Sequence, residues 1–152
     1  MEGPVALEGE AAECGPWPQA RPWEEAVVIV HVVLLRLKPG LSADDILAFS
    51  QLLQRACRTI PSVESAFVGP RVGIDAGYPR QFGETTYDFG AILRFRDRDG
   101  LLDYLRHPLH SELGRRFWEL CDRTTIFETE VVDVKANEPP ENWLVSLQGL
   151  ER

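Results

Sequence analysis

From Ala26 to Lys38 the chain reads A-V-V-I-V-H-V-V-L-L-R-L-K, apolar at odd and even positions alike and rich in β-branched residues. That pattern predicts a strand covered on both faces, with His31 buried near its middle. Pro39-Gly40 ends the strand, and Ser42 with Asp45 three residues later forms a capping-box start for a helix of about 15 residues. Ile46, Phe49, Leu53, Cys57 and Ile60 recur at helical spacing and make its expected inward face. Pro61 breaks the helix. Ser65 to Val72 is a short candidate strand centred on Ala66-Phe67-Val68, and a loop of about a dozen residues containing Gly73, Gly77, Pro79 and Gly83 follows.

Thr86 to Phe95 alternates, with Tyr87, Phe89, Ala91, Leu93 and Phe95 on one side, which predicts a third strand. Asp97 or Asp99 then caps a brief helix through Leu101, Leu102, Tyr104 and Leu105, and Pro108 forces a break at His107. A further helix starts at Pro108, carries Leu109, Leu113, Phe117 and Leu120, and ends near Cys121-Asp122. Thr124 to Val134 closes the series as a fourth strand. Strand, helix, two strands, broken helix, strand is the order of an α+β, ferredoxin-like split βαβ fold with a four-stranded antiparallel sheet. Helices cover one sheet face only, while the strands are apolar on both. Pairing of two sheets in a homodimer, a dimeric α/β barrel, resolves that mismatch.

Composition sets the limits of this unit. The chain has 152 residues, 44% of them hydrophobic, which suits one domain. Residues 1–25 form an acidic Pro/Gly-rich extension with six Glu and one Arg, 26–134 the domain, and 135–152 a polar tail. Trp17 and Trp23 are expected to tack the extension onto the domain, as Trp143-Leu144-Val145 and Leu147 are for the tail. A net charge of −8 without a dense basic face argues against nucleic acid as a partner. No apolar run approaches the roughly 20 residues that cross a bilayer, and residues 1–4 lack the pattern of a secretory signal, so no membrane partner and a cytoplasmic location are expected. Cys14, Cys57 and Cys121 form no zinc-type pair and read as reduced thiols, with Cys57 and Cys121 as packing residues at helix ends.

The candidate chemistry lies in the three histidines, His31, His107 and His110, and in Tyr104, one helical turn before the second. Pro108 at the first helical position puts His110 in the first turn, where the helix dipole disfavours an imidazolium and keeps the ring neutral near pH 7. A neutral imidazole beside a phenol suits removal of a proton next to a carbonyl and its return to the developing alkoxide. The plainer alternatives stand beside this. His107 can cap the helix that follows it, and His110 can hydrogen-bond a buried carbonyl with no ligand present. No carboxylate or thiolate accompanies the histidines at ligand spacing, so no metal site is expected, and no nucleotide or flavin fingerprint points to a cofactor.

These residues resemble the stress-responsive dimeric α/β-barrel (Dabb) family. The resemblance rests on His31 to Lys38 (H-V-V-L-L-R-L-K), Val68-Gly69, Tyr87-Asp88-Phe89, Tyr104 to His110 (Y-L-R-H-P-L-H) and the final valine-rich strand, over about residues 27–134. It implies a barrel of two four-stranded sheets and, in an enzymatic member, a plant olivetolic acid cyclase, a cavity between sheet and helices. It also implies acid–base roles on a linear polyketide for His31, Tyr104 and His110, with His107 a secondary binding residue. Other members have no assigned reaction. The expectation is therefore a homodimer with a cavity for an aromatic or polyketide-like molecule, acting as a cofactor-independent cyclase or lyase. The alternative is a non-catalytic stress-response structural or binding protein of the same fold. The loop from Gly73 to Glu84 is a candidate gate over the cavity.

Overall fold

A computed structural model of the protein describes residues 27–83 and 86–135. The elements run β1 (Val28–Leu37), α1 (Ala43–Thr59), β2 (Ser65–Pro70), α2 (Tyr78–Phe82), β3 (Phe89–Phe95), α3 (Arg98–Arg106), α4 (Pro108–Leu120) and β4 (Cys121–Val131). The sheet order is β2-β3-β1-β4, with every neighbouring pair antiparallel. This is the ferredoxin-like α+β arrangement expected from the element order. The expectations for residues 1–25 and for Trp143 to Leu147 fall outside the described residues.

β1 is a central strand whose odd positions, Ile29 to Leu35, are buried beneath the helices. Its partners in register, Phe95, Leu93 and Ala91 on β3, are buried on the same face. The even positions Val30, Val32 and Leu34 are half-buried on the opposite face. There Phe67, Ile92 and Phe127 are exposed, Phe67 at 67%. Both parities of β1 are thus apolar for different reasons: one builds this core, and the other leaves an uncovered apolar face.

Local signals explain most helix ends. Ser42 Oγ accepts from the Asp45 amide at 3.0 Å and donates to the Asp45 carboxylate at 2.7 Å. Asp97, of the two aspartates that could cap α3, is the one that accepts from Gly100 N, at 2.8 Å.

Three expectations need correction. Phe49, Leu52 and Ala56 are the buried residues of α1, so its core stripe is rotated from the one anticipated, and Ile46 is exposed. The reason is that α1 carries two adjoining apolar stripes, which helical spacing alone does not rank. The loop after β2 is not without structure, because Pro79 falls in the first turn of the short helix α2, with Gly77 at φ +79° as its N-cap. Finally, β4 begins at Cys121, directly after α4, and ends at Val131. Its polar opening is held by cross-strand partners: Arg36 donates to both Asp122 carboxylate oxygens at 2.8 and 3.1 Å, and Lys38 N donates to Leu120 O at 2.8 Å. Cys121 is consequently a buried strand residue opposite Leu37, and Val134 is exposed beyond the strand.

Candidate active site

Strand alternation delivers His31 to the helix-covered face of β1, where it is 4% exposed. The β1–β4 register sets Glu128 directly opposite it. His31 Nδ1 donates to Glu128 Oε1 at 2.9 Å, so a buried imidazole is tied to a half-exposed carboxylate. Tyr104, on the inward face of α3, is 3% exposed. Its ring packs on Phe95 at 5.2 Å between centroids and lies between the two imidazoles, 5.7 Å from His31 and 4.6 Å from His110. Among the described residues nothing is hydrogen-bonded to the Tyr104 hydroxyl.

His110 sits in the first turn of α4, its amide donating to His107 O at 2.9 Å. The ring Nδ1 donates to Leu105 O at 3.1 Å. That bond fixes the tautomer of the neutral ring and leaves Nε2 as an acceptor. The His110 pKa lies below its ordinary value, principally because burial disfavours the charged ring, with the Leu105 bond opposing and the nearby His31 reinforcing the shift. The direction agrees with the expectation of a neutral ring, and burial is its leading cause. Burial also pushes the Tyr104 phenol well above its usual value, with proximity to Cys57 adding to the rise, so the group is a proton donor throughout the neutral range.

A cavity of about 240 Å³ opens beside these groups, between the sheet and helices α3 and α4. His31, Tyr104, His110 and Glu128 line it, and Val33, Ala91, Leu93, Leu105, Leu113, Phe117 and Ile126 supply apolar walls. The structure therefore brings together three of the four residues singled out from the sequence. His107 is not among the lining residues. It is at once the C-cap of α3 and the N-cap of α4, with Nδ1 accepting from Leu109 N at 3.1 Å. This is the plainer of the two roles weighed for it.

Sequence reasoning missed Glu128, Gly114 and Trp118. The signal for the helical pair was available, since His110, Gly114 and Trp118 are spaced four apart and share one face of α4. Glu128 could be found only with the β1–β4 register in hand. Among the described residues no group of three or more His, Cys, Asp or Glu is arranged to hold a metal ion. None of the described helices is long and apolar enough to cross a membrane.

Comparison with solved structures supports the same architecture. A hydroxynitrile lyase from Passiflora edulis is 18% identical, with a TM-score of 0.60 over 74% of this chain and 96% of that one. A dimeric ferredoxin-like protein of unknown function from Thermobifida fusca is also 18% identical, with a TM-score of 0.56 over 75% of this chain and 100% of the other. A Dabb family protein from Mesorhizobium loti, again 18% identical, has a TM-score of 0.56 over 70% of this chain and 99% of its own. At such identities the likeness is one of fold. No curated protein sequence matched the chain. The pattern that describes the stress responsive A/B barrel domain matches residues 29–131, which takes in all four strands and the helices that wall the cavity, and the chain belongs to that family, Dabb.

Proposed function

We propose that this protein is a homodimeric, cytoplasmic α/β-barrel protein, folded over residues 26–134, that binds an aromatic or polyketide-like carbonyl compound and acts on it by proton transfer. The reaction is a cyclisation or its carbon–carbon lyase counterpart. The observation that carries the reading is a phenol held between two imidazoles at the edge of an apolar cavity. Polar groups converging in so small a buried volume are costly unless hydrogen-bonded, and the Tyr104 hydroxyl has no such partner among the described residues, which supports a ligand there. The free Cys57 and Cys121 suit a reducing compartment. The uncovered apolar sheet face and the dimeric state described for the Thermobifida fusca protein support self-association.

In the cyclisation, His110 Nε2 takes a proton from carbon between two carbonyls, and the carbanion attacks a second carbonyl carbon of the same molecule. Tyr104 gives its hydroxyl proton to the alkoxide that forms, and protonated His110 restores the phenol. His31, anchored by Glu128, fixes the orientation of the Tyr104 ring. Run in reverse on a β-hydroxy compound, the same groups remove the hydroxyl proton, break the carbon–carbon bond and protonate the departing carbanion. Apart from the making or breaking of the carbon–carbon bond, every step is a proton transfer, worth about 10² to 10⁴ in rate for each well-placed group.

The test is turnover of a linear 3,5,7-triketo ester, in which carbon 2 can attack carbon 7 and close a six-membered ring, by the parent, His110→Asn and Tyr104→Phe proteins. Loss of about 10²-fold or more in either variant, with unfolding midpoints held, is expected. Equal turnover by parent and variants contradicts the assignment. One observation favours a second, non-catalytic reading as a stress-response binding or structural protein: Nδ1 of both His31 and His110 is satisfied by partners within the protein. On that reading the parent binds the triketo ester without converting it.

A further inference from the structure

The cavity opens to solvent between α4 and β4. Among the described residues that line it, Trp118, Ile126 and Glu128 are the exposed ones, whereas those from β1, β3 and α3 are buried or half-buried. β4 is an edge strand, and Ile126 and Glu128 stand on its helix side opposite Val33 and His31. Glu128 Oε1 is engaged by His31, which leaves the Trp118 indole as the broad recognition surface of the rim. Trp118 is 66% exposed, and the buried Phe117 steadies its ring edge-on, with centroids 5.8 Å apart. Among the described residues no other ring packs against it.

Gly114 is the second unusual residue of this rim. It is the seventh of the 13 residues of α4, where glycine costs helix stability relative to alanine. Its φ is not positive, and a Cβ at this position would meet no atom within 4 Å. Neither backbone geometry nor packing among the described residues therefore calls for glycine. What a missing side chain does allow is close approach to the helix from outside. His110 and Trp118 stand one turn to either side, each about 6 Å along the axis from Gly114. Long helical side chains lean toward the N-terminus, which draws the indole toward the Gly114 turn and accounts for its place in the cavity lining. The three residues frame an open shelf: an imidazole at the inner end, bare backbone as the floor and an indole at the outer end. A flat ring suits such a shelf better than a saturated one, because it lies close to the backbone and offers a π face to the indole.

Resting on the reading of His31, Tyr104 and His110 as the carbonyl site, we propose that Gly114 and Trp118 form an aryl subsite at its mouth, which makes the substrate class 1,3-dicarbonyl compounds with an aryl group directly on one carbonyl. The ring packs on Trp118 over Gly114 and holds the neighbouring methylene at His110.

Calorimetric titration of the full chain with 2,4-pentanedione, 1-phenyl-1,3-butanedione and 1-cyclohexyl-1,3-butanedione tests the assignment. The parent is expected to bind the phenyl compound about threefold to tenfold tighter than the cyclohexyl one, the worth of an aromatic pair beyond its buried area. Trp118→Leu, at an exposed position, keeps apolar bulk and is expected to bring that ratio to about one. Gly114→Ala has opposite expected effects on fold and ligand. Its urea midpoint rises, since alanine is the better helix former, while its affinity for the phenyl compound relative to 2,4-pentanedione falls about fivefold or more. If 2,4-pentanedione binds but the parent shows no phenyl preference, or the preference survives in Trp118→Leu, the inference falls while the carbonyl site stands. Gly114→Ala with undiminished relative affinity for the phenyl compound has the same consequence. A Trp118→Leu protein that sediments at half the parent's mass assigns the indole to a second copy and likewise overturns the subsite. If 4-phenyl-2-butanol, which keeps the ring and lacks the dicarbonyl, binds as tightly as the phenyl diketone, the aryl subsite stands and the carbonyl site falls. No binding by any probe overturns both.

Discussion

In the proposed mechanism Glu128 and His110 contribute by different means. The Glu128 carboxylate holds His31 in one ring orientation, and His31 in turn packs edge-on against Tyr104. Glu128→Gln keeps the size of the side chain and removes its charge. On the proposed mechanism it lowers kcat by about 10- to 100-fold, the usual cost of losing a partner that orients a functional histidine, with little change in KM. Equal kcat in the variant contradicts a positioning role. His110 makes a thermodynamic prediction. Its folded-state pKa lies below the ordinary 6.5, so between those two values the unfolded chain binds more protons than the folded one. Stability is therefore fully present above about pH 6.5 and declines as pH falls toward the folded value. His110→Asn removes that contribution. Parent and variant melting curves compared from about pH 7.5 to about pH 5 report it, and parallel pH dependence contradicts it. At this scale His31, Tyr104 and His110 were legible because rare residue types stand at positions whose periodicity points inward. Glu128 was not, because in sequence it is one of many acids and only strand register makes it a neighbour of His31.

Between α3 and α4, one residue does two jobs. His107 leaves helical geometry at φ −69°, ψ 139°, its amide closes α3 on Tyr104 O at 3.1 Å, and its ring caps α4. The junction carries Tyr104 and His110 on opposite sides of Pro108 and so sets the distance between them. His107→Ala should cost about 1 kcal/mol in urea unfolding, the typical loss of an N-cap, with His107→Asn recovering most of it and diketone affinity unchanged in both. A variant of normal stability that no longer binds the diketone would return His107 to the binding site. The helix break was legible from Pro108. Less so was the orientation of α1, where apolar residues 46, 49, 52, 53, 56, 57 and 60 span two stripes and tertiary contact chooses between them. The onset of β4 was hidden for a related reason. Asp122 and Arg123 carry no strand signal of their own; Arg123 pairs opposite Arg36, and Asp122, at the irregularity in the ladder, is held by the Arg36 side chain.

For the molecule as a whole, the open side of the sheet is the dominant feature. Val30, Val32 and Leu34 on the central strand, flanked by the exposed Phe67, Ile92 and Phe127, form an apolar face that the described helices do not touch. A second copy applied to that face completes the proposed barrel, and Ile92→Lys places a charge in its middle. Sedimentation is expected to show the parent as a dimer and the variant as a monomer that keeps its helical circular dichroism. A monomeric parent contradicts the assembly. The need for such a partner was legible in the sequence, since β1 is apolar at both parities while the chain supplies helices for one side.

The central claim is that His31 and His110 face one guest across the Tyr104 ring. With only three histidines in the chain, their imidazole proton resonances can be followed one by one during titration with 2,4-nonanedione. The account predicts that the His31 and His110 signals shift together on a single binding isotherm while His107 stays in place. Saturable binding that moves His107 alone, or leaves all three unmoved, would contradict it.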